Sequence, residues 1–156
     1  MINTSLICQS KHWPPRLRKI NLLLKKILNF KNDLSFNKDT NYNCNFILTN
    51  DKLMKAINKK FCKKKKSTDV LTFVSAIKIK KNQQYKICDI FLSAEVIKKD
   101  AKEKKTSFYD HLTHVIVHSF LHINGYDHKK NVDFNKMKKA EIIILQKLGI
   151  NNPYLI

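Results

Sequence analysis

Glycine and proline are scarce, with 2 and 3 residues among 156. Such a chain is neither collagen-like nor a Pro/Gly-rich low-complexity segment. Long apolar runs are missing as well. Leu22-Leu23-Leu24 and Ile142-Ile143-Ile144-Leu145 are helix-core patches, far short of the roughly 18–20 apolar residues that span a bilayer. The cysteines Cys8, Cys44, Cys62 and Cys88 form no C-x-x-C pair. That argues against a thiolate zinc site and fits a reducing compartment. The start, Met1-Ile2-Asn3-Thr4, shows no basic segment leading into an apolar core. The expected location is therefore the cytoplasm, with no membrane partner. Acidic residues are few: Asp+Glu 12 against Lys+Arg 31 gives a net charge of +19. Arginine itself is confined to Arg16 and Arg18. A surface this basic attracts phosphate backbones. Abundant Lys, Asn and Ile are equally what AT-rich codons supply, and both readings stand on composition alone.

What is present suffices for a core, since hydrophobic residues make up 43% and aromatics 10%. One domain, 1–156, is expected. Ile2 to Cys8 reads as a strand. Pro14-Pro15 suits the first turn of a helix whose stripe is Leu17, Ile20, Leu24, Ile27 and Leu28, fading near Asn32-Asp33. Asn43 to Thr49 alternates as a strand. Asn50 or Asp51 caps a helix with Leu53, Met54, Ile57 and Phe61 on one face. Asp69 to Val74 has strand composition, Ile77 to Lys80 reads as its continuation into an edge hairpin, and Ile87 to Leu92 is a further strand after a turn at Lys81-Asn82-Gln83-Gln84. Ser93 caps a short helix, and helices follow over about 107–123 and 133–148, the last closed by Gly149. Strands early and helices late predict an α+β domain, a mixed sheet packed by helices.

Five of the six histidines fall between His111 and His128. His118 and His122, at i and i+4, share one helix face about 6 Å apart along the axis, a spacing at which two imidazoles can meet one ion. His114 lies on that face too, but about 12 Å of axis separates it from His122, too far for both to converge on one ion with His118. Asn124-Gly125 is a natural helix stop, and His128 follows three residues later. His118, His122 and His128 thus form H-x3-H-x5-H with a turn before the last, the pattern of three protein ligands and one open position in catalytic zinc sites. The same spacing is part of the zinc-peptidase pattern H-E-x-x-H-x-x-G-x-x-H. Ser119 stands where the peptidase glutamate would be, which disfavours peptide hydrolysis.

The segment His118-Ser119-Phe120-Leu121-His122-Ile123-Asn124-Gly125-Tyr126-Asp127-His128 resembles the H-G-x-L-H-L-x-G-Y-D-H signature of the YbeY family. Its members are bacterial single-strand-specific endoribonucleases, also called rRNA maturation factors. Ser67 to Phe73 resembles the family's T-[DN]-V-L-S-F segment, and Ile87 to Ser93 its L-G-D-I-x-I-S strand. The ending Leu148-Gly149-Ile150 through Pro153-Tyr154 is also similar. The likeness runs from about residue 44 to the end. It implies a zinc ion held by His118, His122 and His128 on a late helix and the turn after it. It also implies cleavage of single-stranded RNA, maturation of the 3′ end of small-subunit rRNA, and ribosome quality control. Partners would be rRNA and the small ribosomal subunit.

The sequence departs from the family in places. An arginine usual before T-[DN]-V-L-S-F is replaced by Cys62, and a thiol cannot make a bidentate phosphate contact. Lys63, or another lysine of the 63–66 run, is the candidate replacement, against the plainer reading of a solvated loop. Ser119 and Cys88 stand in for glycines. Asp127 is a candidate to hold the far nitrogen of His128, or else a turn residue. His114 is a candidate to support a ligand or face substrate, or else simply packs before His118. Tyr126 either stacks on a base or plugs the turn. Asp69 and Asp89 either line the cleft or make local hydrogen bonds. His111 and His12 are expected at the surface. Two rivals remain: a metallohydrolase of another substrate, and a non-catalytic rRNA-binding protein with structural zinc.

Overall fold

The computed structural model describes residues 1–62 and 68–155. The elements run β1 (Ile2–Cys8), a 3-10 turn at Pro14–Arg16, α1 (Leu17–Leu28), β2 (Thr40–Thr49), α2 (Asp51–Cys62), β3 (Val70–Lys80), β4 (Gln83–Ser93), α3 (Ala94–Glu103), α4 (Phe108–Ile123) and α5 (Asn131–Lys147). The sheet order is β1-β2-β4-β3. β1 and β4 both lie parallel to β2, while β3 runs antiparallel to β4, so the sheet is mixed. The expected α+β architecture holds.

Strand alternation explains which face is covered. On β4, Cys88, Ile90 and Leu92 point into the core while Asp89 and Phe91 turn to the other side. On β2, Tyr42, Cys44 and Phe46 are buried, and Asn41, Asn43 and Asn45 face outward. That outer face is a ladder of side-chain hydrogen bonds. Ser5 Oγ donates to Asn45 Oδ1 (2.7 Å), and Asn45 Nδ2 donates to Asp89 Oδ1 (3.0 Å). Asp89 is therefore occupied in bonding across the sheet.

Element ends follow capping chemistry. Asn50 Oδ1 accepts from Leu53 N (2.9 Å), Ser93 Oγ from Val96 N (3.4 Å) and Ser107 Oγ from Asp110 N (3.0 Å). β2 starts three residues before the alternating stretch does, because Tyr42 N bonds Met1 O (2.8 Å) and extends the ladder. The β3–β4 turn shrinks to Lys81-Asn82, since Gln83 and Gln84 pair with Lys80 and Lys78.

α4 is enclosed nearly all round, the mark of a central helix. It packs against α1, α3, α5 and β3. Leu112, Val115, Ile116, Phe120 and Leu121 join the core with Trp13, Phe46 and Ile144. Enclosure corrects one expectation. His111 is not at the surface but 3% exposed, because α3 and the start of β3 cover the side of α4 that carries it. His12 is exposed as expected, its Nε2 3.7 Å from Glu95 Oε1. Among the described residues no helix is long and apolar enough to cross a membrane.

Candidate metal centre

Four histidines of α4, His111, His114, His118 and His122, recur at three- and four-residue steps and so run along one side of the helix. The helix ends at Ile123, whose carbonyl accepts from Lys86 Nζ (3.4 Å). Gly125 then takes φ +101°, and Tyr126 N returns to Leu121 O (3.0 Å). This left-handed cap reverses the chain and carries His128 back over the helix end. Asn124 Nδ2 anchors the reversal on Leu34 O (2.9 Å). The His128 ring lies 5.6 Å from His118 and 6.1 Å from His122, centroid to centroid, tilted by only 24° and 22°. Three imidazoles on one tetrahedral zinc have centroids roughly 5 Å apart, by bond lengths of about 2.0–2.1 Å. The trio is therefore slightly open, and His122 and His128 are both exposed.

Proton positions follow from the partners. A carbonyl only accepts, so His122 Nδ1 donates to Tyr126 O (3.1 Å) and its Nε2 keeps a lone pair. An ionised carboxylate only accepts, so His118 Nδ1 donates to Glu141 Oε1 and its Nε2 also keeps a lone pair. Among the described residues neither Nε2 has a protein partner. Two fixed tautomers with free nitrogens beside a third ring are a donor set that fits zinc.

Glu141, on α5, escaped the sequence reading. It is fully buried and takes His118 Nδ1, His114 Nε2 (2.9 Å) and the Tyr154 hydroxyl as donors. Burial alone would raise its pKa, but the bonds from His114 and His118 outweigh it and hold the carboxyl down at about 2. Burial and Glu141 together push the Tyr154 phenol upward. The available signal was a lone acid between Ala140 and Ile142-Ile143-Ile144, in a chain poor in acids. His114 thus supports a neighbour through Glu141 and is packed within α4.

Of its two expected roles, Asp127 takes that of a turn residue. Its Oδ1 accepts from the backbone N of His128 (2.7 Å) and of Lys129 (3.3 Å), which lowers its pKa, and it touches no imidazole nitrogen. An aspartate one residue from the ligand closes the local turn more readily than it reaches the far side of the next ring. Tyr126 is half-buried against the core and plugs the turn. Lys63 and the rest of the lysine run lie outside the described residues.

A second group lies farther up α4. Asp69, Asp100 and His111 bring three potential ligand atoms within 4.8 Å of one another, and this group, with only His111 fully buried, could hold a metal ion.

The model of the family described as Endoribonuclease YbeY matches residues 7–149. The chain belongs to the YbeY family. It is 34% identical over 155 residues to Endoribonuclease YbeY of Bartonella henselae, covering 99% of this chain and 98% of that one. It is 35% identical over 156 residues to the Bartonella quintana protein of the same name, with coverages of 99% and 98%. The solution structure of TM1509 from Thermotoga maritima shares the fold, with a TM-score of 0.54 and 24% identity over 96% of this chain and 92% of that one. The likeness to YbeY proteins therefore extends well into the N-terminal third, beyond the start near residue 44 that the motifs alone mark.

The turn offers a direct test. A Cβ at Gly125 would meet no atom within 4 Å, so Gly125→Ala introduces only backbone strain at φ +101°. A loss of about 1–2 kcal/mol is expected from the left-handed conformation, with weaker zinc binding as His128 shifts. Thermal melts and zinc titration check both; an unchanged zinc affinity would mean that the turn does not place His128.

Proposed function

We propose that this YbeY-family chain is a zinc-dependent, single-strand-specific endoribonuclease that matures the 3′ end of small-subunit rRNA and serves ribosome quality control in the cytoplasm. One zinc ion is held by His118, His122 and His128. The observation that carries this reading is the approach of His128 to the two α4 rings whose Nδ1 atoms are already bonded, leaving Nε2 available. Bound zinc supplies a Lewis acid for the phosphate and an activated water at neutral pH. The chain's own residues supply orientation. Glu141 fixes the tautomer and angle of His118, the Tyr126 carbonyl does so for His122, and the Gly125 turn delivers His128. His114 and Tyr154 hold Glu141 in turn. Lysines of the 63–66 run offset charge on the phosphate where the family's arginine is Cys62.

The net charge of +19 supports an RNA substrate over a peptide or ester. Lysine contacts with phosphates make affinity fall steeply with salt, with a slope of about −0.7 in log K per contact on a single strand. Binding measured from low to moderate salt should show a slope equivalent to several contacts; a flat profile would assign the charge to codon bias. The decisive experiment combines metal analysis of the purified protein with cleavage of single- and double-stranded RNA, with and without chelator. Zinc near one per chain and chelator-sensitive cutting of the single strand are expected. Binding without cutting would instead favour a non-catalytic rRNA-binding role.

A further inference from the structure

The Asp69–Asp100–His111 group lies farther up α4 than the three-histidine centre, with Asp69 still within reach of the charge of His118, and is used by none of the roles above. Three elements build it: Asp69 just before β3, Asp100 on α3 and His111 on α4. His111 Nε2 lies 3.7 Å from Asp69 Oδ2 and 3.9 Å from Asp100 Oδ2, too long for hydrogen bonds. The His111 side chain is 3% exposed, and its Nε2 is a buried nitrogen with no hydrogen-bond partner. An orphaned polar atom at such depth is costly unless something fills the gap. What it faces is two carboxylates, and among the described residues no lysine or arginine is in ion-pair range of either. Asp100 has its pKa raised by burial and by the charge of Asp69, as two carboxylates crowding one space require. The carboxylates are partly exposed and open on a cleft of about 570 Å³ with Thr68, Glu95 and Lys99 on its walls. A cation can enter from there.

We infer that Asp69, Asp100 and His111 form a second site for a divalent cation of the manganese or zinc type. Three atoms at these separations surround a point about 2.1–2.5 Å from each, the range of metal–oxygen and metal–nitrogen bonds. One imidazole with two carboxylates suits Mn²⁺ or Zn²⁺ better than Mg²⁺, which prefers oxygen and water. His111 and His118 are seven residues apart on one helix, about 10.5 Å along the axis. Paired catalytic ions sit about 3.5–4 Å apart, so the second cation is not a partner in the same displacement. Its work is electrostatic and structural. It removes two negative charges from the approach to a phosphate-binding centre, and it ties the entrance of β3 to α3 and α4.

The test is Mn²⁺ binding followed by electron paramagnetic resonance, with wild type, Asp100→Asn and the double variant His122→Ala/His128→Ala. Asp100 is partly exposed and His122 and His128 are exposed, so these variants should fold, which circular dichroism checks. Two equivalents bound by wild type are expected. One should remain in the double variant, and adding Asp100→Asn to it should weaken that one at least tenfold. No Mn²⁺ bound by the double variant, or binding unaffected by Asp100→Asn, overturns the second site. Either result leaves the three-histidine nuclease reading untouched, because that reading is tested separately, by RNA cleavage with and without chelator and by the zinc content and cleavage of the histidine variants.

Discussion

His118→Ala is expected to lose bound zinc and RNA cleavage together. Removing the outer partner of a metal ligand typically costs about 10–100-fold in affinity or activity. Removing the ligand itself should cost more, so cleavage should fall by at least about 100-fold, with zinc in the isolated protein well below one per chain. His118 also donates to Glu141, so its removal should destabilise the metal-free fold by about 1–2 kcal/mol. His122 makes its bond to the exposed Tyr126 carbonyl instead. His122→Ala should therefore lose zinc and activity with little change in metal-free stability. Metal analysis, single-turnover cleavage and denaturant melts on both variants separate the two contributions. A variant that loses zinc yet cuts at the wild-type rate would sink the assignment.

Glu141→Gln should be nearly as damaging, though its carboxylate is fully buried and touches no RNA. The carboxylate receives three donors, whereas an amide offers one oxygen and turns an NH₂ toward another donor. His118 must then lose its partner or move its proton to Nε2, which removes the lone pair a metal needs. Zinc affinity should drop about 10–100-fold, and metal-free stability by about 2–4 kcal/mol. The pH dependence gives an independent check. The folded carboxyl sits at about 2, below its ordinary 4.5. A group depressed on folding stabilises above its unfolded value and loses that contribution as pH falls through the folded one. Roughly 3 kcal/mol is at stake at neutral pH. In chelator-treated protein, the gap in stability between wild type and Glu141→Gln should hold down to about pH 5 and shrink between about pH 4.5 and 2. A gap of equal size at pH 7 and pH 2.5 would show that Glu141 is not ionised in the fold.

Both predictions concern side chains of very different legibility. His118, His122 and His128 stood out because metal ligation needs fixed spacing along a helix and a turn, and spacing is written in one dimension. The same holds for Ser93 as a cap and for Gly125 and Gly149 at positive φ. Glu141 did not stand out, since its partners are 23 and 27 residues away on another helix. Asp127 stood out for the wrong reason. Nearness in sequence to His128 suggested contact with its ring, but local backbone N–H groups compete for the same carboxylate and win.

The sequence by itself determined the order of strands and helices, the packing of helices on a mixed sheet and the histidine spacing. These depend on local periodicity, capping and turn chemistry, all short-range. The tertiary structure alone decided that α4 is enclosed, because burial depends on what α1, α3, α5 and β3 lay against it. That enclosure takes His111 from an expected surface position to a buried one facing Asp69 and Asp100, and it places Glu141 under His114 and His118. Charge and donor pairing across elements cannot be read along the chain, because the free energy of burying a polar group is set by partners that only packing supplies.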